Sequence, residues 1–169
     1  MWNFTKEIMV SKDKALKGRS TPIDPGSVHA VFQTPFIDHH TMTPSSAELS
    51  YLVVGMGCFW GAERLFWKTN GVVFTSVGYA GGYTLNPSYE EVCSGLTGHT
   101  EVVQIAYKPQ ELSLLSLLKL FWEQHDPTQG LRQGNDIGSQ YRSAIYYTNP
   151  EQEEVIEKRE DGGGAFPHS

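Results

Sequence analysis

Cysteine is scarce in these 169 residues: there are two, Cys58 and Cys93. That is too few for a disulfide scaffold or a four-cysteine zinc site. A thiol that stays reduced fits a reducing compartment, so a cytoplasmic location is expected. No run of about 18 apolar residues exists, which leaves no candidate for a membrane-spanning helix. The first twenty residues carry no continuous apolar stretch, so no secretory signal is expected. Positive charge is short as well. Lys and Arg number 13 against 19 Asp and Glu, a net charge of −6, which argues against a nucleic-acid binder. Charged residues reach only 19%, too few for a disordered chain, while 39% hydrophobic residues suffice for a packed core. The length favours one domain, and a monomer is expected.

Residues 1–48 look irregular, because Pro22, Pro25, Pro35 and Pro44 break any period. They read as an extended arm on the domain surface, anchored in part by Val31, Phe32 and Phe36. A loose tail describes the first twenty equally well. Regular structure then begins. Tyr51–Val54 suits a buried strand, Gly55-Met56-Gly57 a turn, and 58–68 a helix with Phe59, Ala62, Leu65 and Phe66 on helical spacing. Val72–Val77 reads as a second strand, followed by a glycine-rich loop, Gly78-Tyr79-Ala80-Gly81-Gly82-Tyr83. A short helix opens at Asn86-Pro87-Ser88, a third strand covers Glu101–Tyr107, and a second long helix covers Leu112–Trp122. Residues 125–139 read as loop, Tyr141–Tyr147 as a fourth strand, and Asn149-Pro150 opens a last helix. Strand, helix, strand, strand, helix, strand is the split β-α-β order of a two-layer ferredoxin-like fold. The expected class is therefore α/β (α+β), with a βαββαβ core at 49–160 and an unrelated tail at 161–169.

Cys58 stands out within Gly57-Cys58-Phe59-Trp60-Gly61. It follows a strand and a glycine turn, at the first turn of a helix, where the helix dipole favours a thiolate. Gly57 and Gly61 allow the backbone and a substrate to approach closely. A buried cysteine at a strand–helix junction is the bland alternative, but the tight glycine–aromatic setting favours a reactive thiol. For Cys93, beside Val92, a small buried side chain is the better reading. His99 and His125 lack ligand spacing for a metal, so no metal is expected.

Taken together, Gly57–Gly61, Gly78–Tyr83, Asn86–Tyr89, Glu91–Gly95, Thr97–His99, Phe121–Glu123, His125–Gly130, Arg132–Asp136 and Gln140–Tyr146 resemble the peptide methionine sulfoxide reductase A family. The resemblance covers about residues 51–148. It implies that Cys58 attacks the sulfoxide sulfur of oxidised methionine and ends as a sulfenic acid. Glu101 matches the family's acid, and at the start of a strand it is expected at the sheet edge near the thiol. Tyr89 and Tyr141 match two phenols that bond the sulfoxide oxygen. Asp136 matches a further polar residue that helps hold the thiol region. Phe59 and Trp60 match the aromatic cradle for the substrate methyl group. No bound cofactor is implied; electrons come from a thiol reductant, thioredoxin or dithiothreitol.

The resemblance stops before the family's glycine-rich tail with its resolving cysteines, so the chain reads as C-terminally truncated. Recycling by thioredoxin is then expected to be much weaker than by dithiothreitol. Two other readings stay open from residues alone: a non-catalytic or poorly folded fragment of such an enzyme, and a cysteine hydrolase. The hydrolase would want an activating histidine beside the thiol.

Overall fold

A computed structural model of the chain describes residues 8–24, 29–32 and 49–160. Phe36 and the tail at 161–169, both named above, lie outside the described residues. The elements are β1 (Ser50–Met56), α1 (Phe59–Trp67), β2 (Val72–Ala80), α2 (Tyr89–Cys93), β3 (Thr100–Tyr107), α3 (Leu114–Gln124), β4 (Arg132–Gln133), β5 (Asp136–Ile137), a 3-10 turn (Ser139–Tyr141), β6 (Ser143–Tyr146) and α4 (Pro150–Glu160).

Four strands form one sheet in the order β2-β3-β1-β6, and every neighbouring pair is antiparallel. This is the expected ferredoxin-like arrangement: each helical crossover skips one position, and the skipped place is filled by a strand running the other way. β1 and β3 occupy the interior positions and are buried along almost their whole length. Their residues therefore read as continuous apolar runs rather than as alternation.

The main core lies between the sheet and the helices. Leu52, Val54, Val103 and Ile105 meet Phe66 of α1 and Leu117, Leu118 and Phe121 of α3. On the opposite face Tyr51, Phe74 and Ala106 are covered by Phe32 from the arm. His29 ties that arm segment down. Its ring stacks edgewise on Phe74, its Nδ1 accepts from the Val31 and Phe32 amides, and its Nε2 faces Thr75 and Glu63. Phe32 thus anchors the arm as expected, whereas Val31 is exposed. Further back, the arm pairs with the loop before α2, where Arg19 bonds the Asn86 carbonyl and Glu91. The long α4 is polar, yet its buried Ile156 joins the core and its buried Gln152 donates to the Tyr51 carbonyl at 2.7 Å.

Three boundaries differ from those expected. β2 runs on through Gly78, Tyr79 and Ala80, because β3 continues to pair with it there. α3 starts at Leu114, with Ser113 as its cap accepting from the Ser116 amide, so Leu112 belongs to the preceding turn. The expected loop at 125–139 contains the β4–β5 hairpin, and Tyr141 sits in the 3-10 turn ahead of β6. Strands of two residues are too short to leave a periodic signal.

Candidate active site

Cys58 occupies the cap position of α1 and is exposed. The turn that delivers it depends on Gly57, whose φ is +88° and where a Cβ would lie 2.7 Å from the Cβ of Gln133. A side chain there would be strained twice, by the left-handed backbone and by the hairpin.

A helix start leaves amide donors without partners. The Cys58 side chain makes no cap bond. Glu101 supplies the acceptor instead: its Oε2 receives the Phe59 N–H at 3.0 Å. Glu101 stands at the start of β3 as expected, but β3 is an interior strand, so the carboxyl lies under α1 rather than at the sheet edge. It is 2% exposed. Burial raises its pKa, the Phe59 amide opposes that shift, and the nearby Asp136 charge adds to it. One oxygen can accept from Phe59 while the other holds a proton.

Two phenols converge on the same place from different elements. Tyr89 opens α2, half of its surface exposed; its hydrogen bond to Cys93 raises its pKa. α2 is only five residues long, but Ser88 and Glu91 form a reciprocal capping box at its start. Tyr141 is partly buried, and burial followed by the Glu101 charge pushes its phenol up to about 12. Its 3-10 turn is held by Thr100 Oγ1, which donates to the Gln140 carbonyl at 2.9 Å, and by Arg142, which reaches the carbonyls of Ser139 and Gly98.

The two aromatics after the thiol are placed differently. Phe59 is buried at 6% exposure, while Trp60 is 75% exposed beside the thiol. Asp136 is on β5 and helps line a cleft of about 350 Å³ that opens beside Cys58. α1 forms one wall of this cleft; the others are the end of α3 and the β4–β5 hairpin. His125 reaches the cleft too, but its ring nitrogens face the Phe121 carbonyl and Ser143 Oγ at 2.7 Å, which is a structural role. Among the described residues no group of three His, Cys, Asp or Glu side chains gathers to hold a metal ion. No described helix is long and apolar enough to cross a membrane.

The family model for peptide methionine sulfoxide reductase matches residues 50–162. The chain belongs to the peptide methionine sulfoxide reductase family. It is 54% identical over 147 residues to peptide methionine sulfoxide reductase MsrA of Pseudomonas syringae pv. tomato, covering 87% of this chain and 66% of that protein. With the Vibrio parahaemolyticus MsrA it shares 52% over 156 residues, 92% of this chain and 71% of the relative. Methionine sulfoxide reductase A of Corynebacterium diphtheriae is similar in structure, with a TM-score of 0.78 and 43% identity over 92% of this chain and 73% of that one. Reduced Mxr1 of Saccharomyces cerevisiae follows at 0.61 and 33%, over 69% and 71% of the two chains. The chain thus spans about two thirds of the length of the curated relatives it matches.

One residue beside Glu101 was missed in the sequence reading. Tyr79 is the direct cross-strand partner of Glu101, and its ring packs on Phe59 with centroids 5.7 Å apart. Burial, then the Glu101 charge, raises its phenol well above the ordinary value. Reading Gly78–Tyr83 as loop hid it. Carrying the period-two alternation of Thr75 and Val77 one step further would have put Tyr79 on the helix face beside the acid.

Proposed function

We propose that this chain reduces methionine S-sulfoxide, in proteins or as the free amino acid, and so repairs oxidised methionine. The observation that carries the reading is the buried Glu101 carboxyl held beneath the first turn of the helix that Cys58 heads. Reduction of a sulfoxide asks for a sulfur nucleophile and a proton donor for the departing oxygen within one site. Cys58 attacks the sulfoxide sulfur as thiolate. Glu101 gives the oxygen its proton while the hydroxyls of Tyr89 and Tyr141 hold that oxygen. The oxygen ends on Cys58 as a sulfenic acid, and methionine leaves as the thioether. Phe59 and Trp60 support the methyl end of the substrate, and Asp136 helps hold the thiol region.

The sulfenic acid returns to thiol at the expense of a reductant. Dithiothreitol serves in vitro; thioredoxin is the proposed cellular donor, at a rate well below that of dithiothreitol, and it fits a reducing compartment such as the cytoplasm. Residues 49–160 form the proposed catalytic unit. The test is methionine release from a peptide S-sulfoxide. Without reductant, the chain should release a single equivalent per Cys58, and with dithiothreitol it should turn over repeatedly. Cys58→Ser should release none. A folded native chain that releases no methionine under either condition overturns the reading.

A further inference from the structure

Between β2 and β3 the chain makes a long excursion at 81–99, which carries α2 and Tyr89. Residues 16–19 of the arm cross it and bond both of its limbs. On the outgoing limb Gly18 bridges to Leu85. The Arg19 N–H donates to the Leu85 carbonyl at 3.0 Å, and the Leu85 N–H to the Lys17 carbonyl at 3.3 Å. Next to them Thr84 Oγ1 donates to the Leu16 carbonyl at 2.7 Å. On the returning limb the Leu96 carbonyl accepts from the Leu16 N–H at 2.9 Å. Leu16 is thus tied to both limbs at once. Gly18 is required for the crossing: its φ is +72°, and a Cβ there would run into the Leu85 carbonyl.

The contacts close in on Tyr89 from both sides. Arg19 Nη1 donates to the Asn86 carbonyl at 2.6 Å and Nη2 to Glu91 Oε1 at 3.1 Å. One guanidinium therefore grips the residue three before Tyr89 and the residue two after it. Asn86 Nδ2 returns a bond to the Arg19 carbonyl at 2.9 Å. Asn86 has φ +44°, the one positive value outside glycine among the described residues. A backbone in that region persists where its surroundings over-determine it. Here Arg19 holds both the Asn86 carbonyl and its side chain. Pro87 and Ser88 then lead directly into Tyr89, so the Asn86 conformation sets where that ring stands. α2 has little packing of its own to do this: it buries Val92 alone among its five residues, and Tyr89 is half exposed.

We propose that residues 16–19 are a strap that positions Tyr89 for the reaction, with Gly18 and Arg19 as positioning residues. This rests on the sulfoxide reading proposed above, in which the Tyr89 hydroxyl holds the sulfoxide oxygen. The arm thus adds to the catalytic unit at 49–160. The Arg19–Glu91 pair is partly exposed and weak by itself. The neutral bonds to Leu85, Thr84, Leu96 and Asn86 hold the strap as a group, so lifting its backbone at Gly18 does more than trimming Arg19.

Gly18→Ala, Arg19→Ala and Arg19→Lys are prepared in the full chain. Lys14→Ala, which removes an exposed positive charge from the same arm, is the charge control. Amide hydrogen exchange across 84–96 reads the strap without any reaction, and methionine release from a peptide S-sulfoxide with dithiothreitol reads the positioning. Exchange across 84–96 should be several-fold faster in Gly18→Ala and Arg19→Ala, with native rates kept in β1 and β3. KM should rise by up to about tenfold, the worth of one hydrogen bond to the substrate, with kcat kept. Arg19→Lys should fall between native and Arg19→Ala, because an ammonium lacks the fork that spans Asn86 and Glu91. A variant that only unfolds part of the sample lowers kcat and leaves KM as it was; that result in Gly18→Ala and Arg19→Ala overturns the inference. Native exchange across 84–96 in both variants overturns it, as does faster exchange with native KM, or Lys14→Ala matching Arg19→Ala. A native chain that releases no methionine counts against the sulfoxide reading, and exchange in the variants then decides the strap by itself.

Discussion

Glu101 illustrates how one residue takes on two duties. It caps a helix whose own cap residue is a cysteine, and it stays protonated more readily because it is buried. A general acid works only while it holds its proton. With its pKa raised, Glu101 keeps that proton above the ordinary carboxyl range and loses it as the pH climbs through the raised value. Native kcat/KM for a peptide sulfoxide should therefore fall on that limb. Glu101→Gln keeps an acceptor for the Phe59 amide but has no proton to give. Its kcat/KM should drop on the order of 10²–10⁴-fold, and the limb should vanish. Persistence of the limb in the Gln variant, seen in a pH profile, would assign it to another group. Cys58, Glu101, Tyr89, Tyr141 and Asp136 were all visible as residue types in ordered motifs. Their grouping came only from the resemblance, since physically it needs β3 to pass under α1.

At the scale of elements, α2 is the weakest part of the site and the most dependent on local chemistry. Five residues cannot sustain a helix by propagation alone. Its stability comes from the Ser88–Glu91 box, with Ser88 N–H donating to Glu91 Oε2 at 2.7 Å, and from Arg19 of the arm, which pairs with Glu91 at 3.1 Å. The Ser88 amide and Arg19 together hold the Glu91 carboxyl below its ordinary pKa. Ser88→Ala removes one cap bond and should cost about 1 kcal/mol, measured by urea denaturation. Because Tyr89 is the next residue, the same variant should raise KM for the sulfoxide; an unchanged KM would show that Tyr89 is held by other contacts. This helix start was legible in Asn86-Pro87-Ser88. The arm's part in it was not, because Arg19 and Glu91 are far apart in the chain and only folding brings them together.

Across the whole molecule, the sheet and the two long helices share one core, and the site stands at one end of it. Phe121 is fully buried between Leu117, Trp122 and the His125 ring, with centroids 4.8 Å from Trp122 and 4.4 Å from His125. Phe121→Ala should destabilise the chain by about 3–5 kcal/mol, read from chemical denaturation. The loss should appear in one transition, since β1 and β3 carry both the core and the acid. A first transition that removes α3 alone would show the helix to be a separate cooperative unit.

The sequence by itself determined the order of the four sheet strands and of the helices, because strand and helix periods, glycine stops and proline starts are local signals. It also singled out Cys58 as the candidate thiol, through the Gly57–Gly61 run. Tertiary structure alone decided three things. It extended β2 to Tyr79, since pairing with β3 outweighs the glycines there. It made a hairpin at 132–137 whose Asp136 comes beside the thiol. It also separated Phe59, buried under the helix, from Trp60 in the open. Each depends on contacts between residues distant in the chain, and the Thr75, Val77, Tyr79 alternation is the single local hint of any of them.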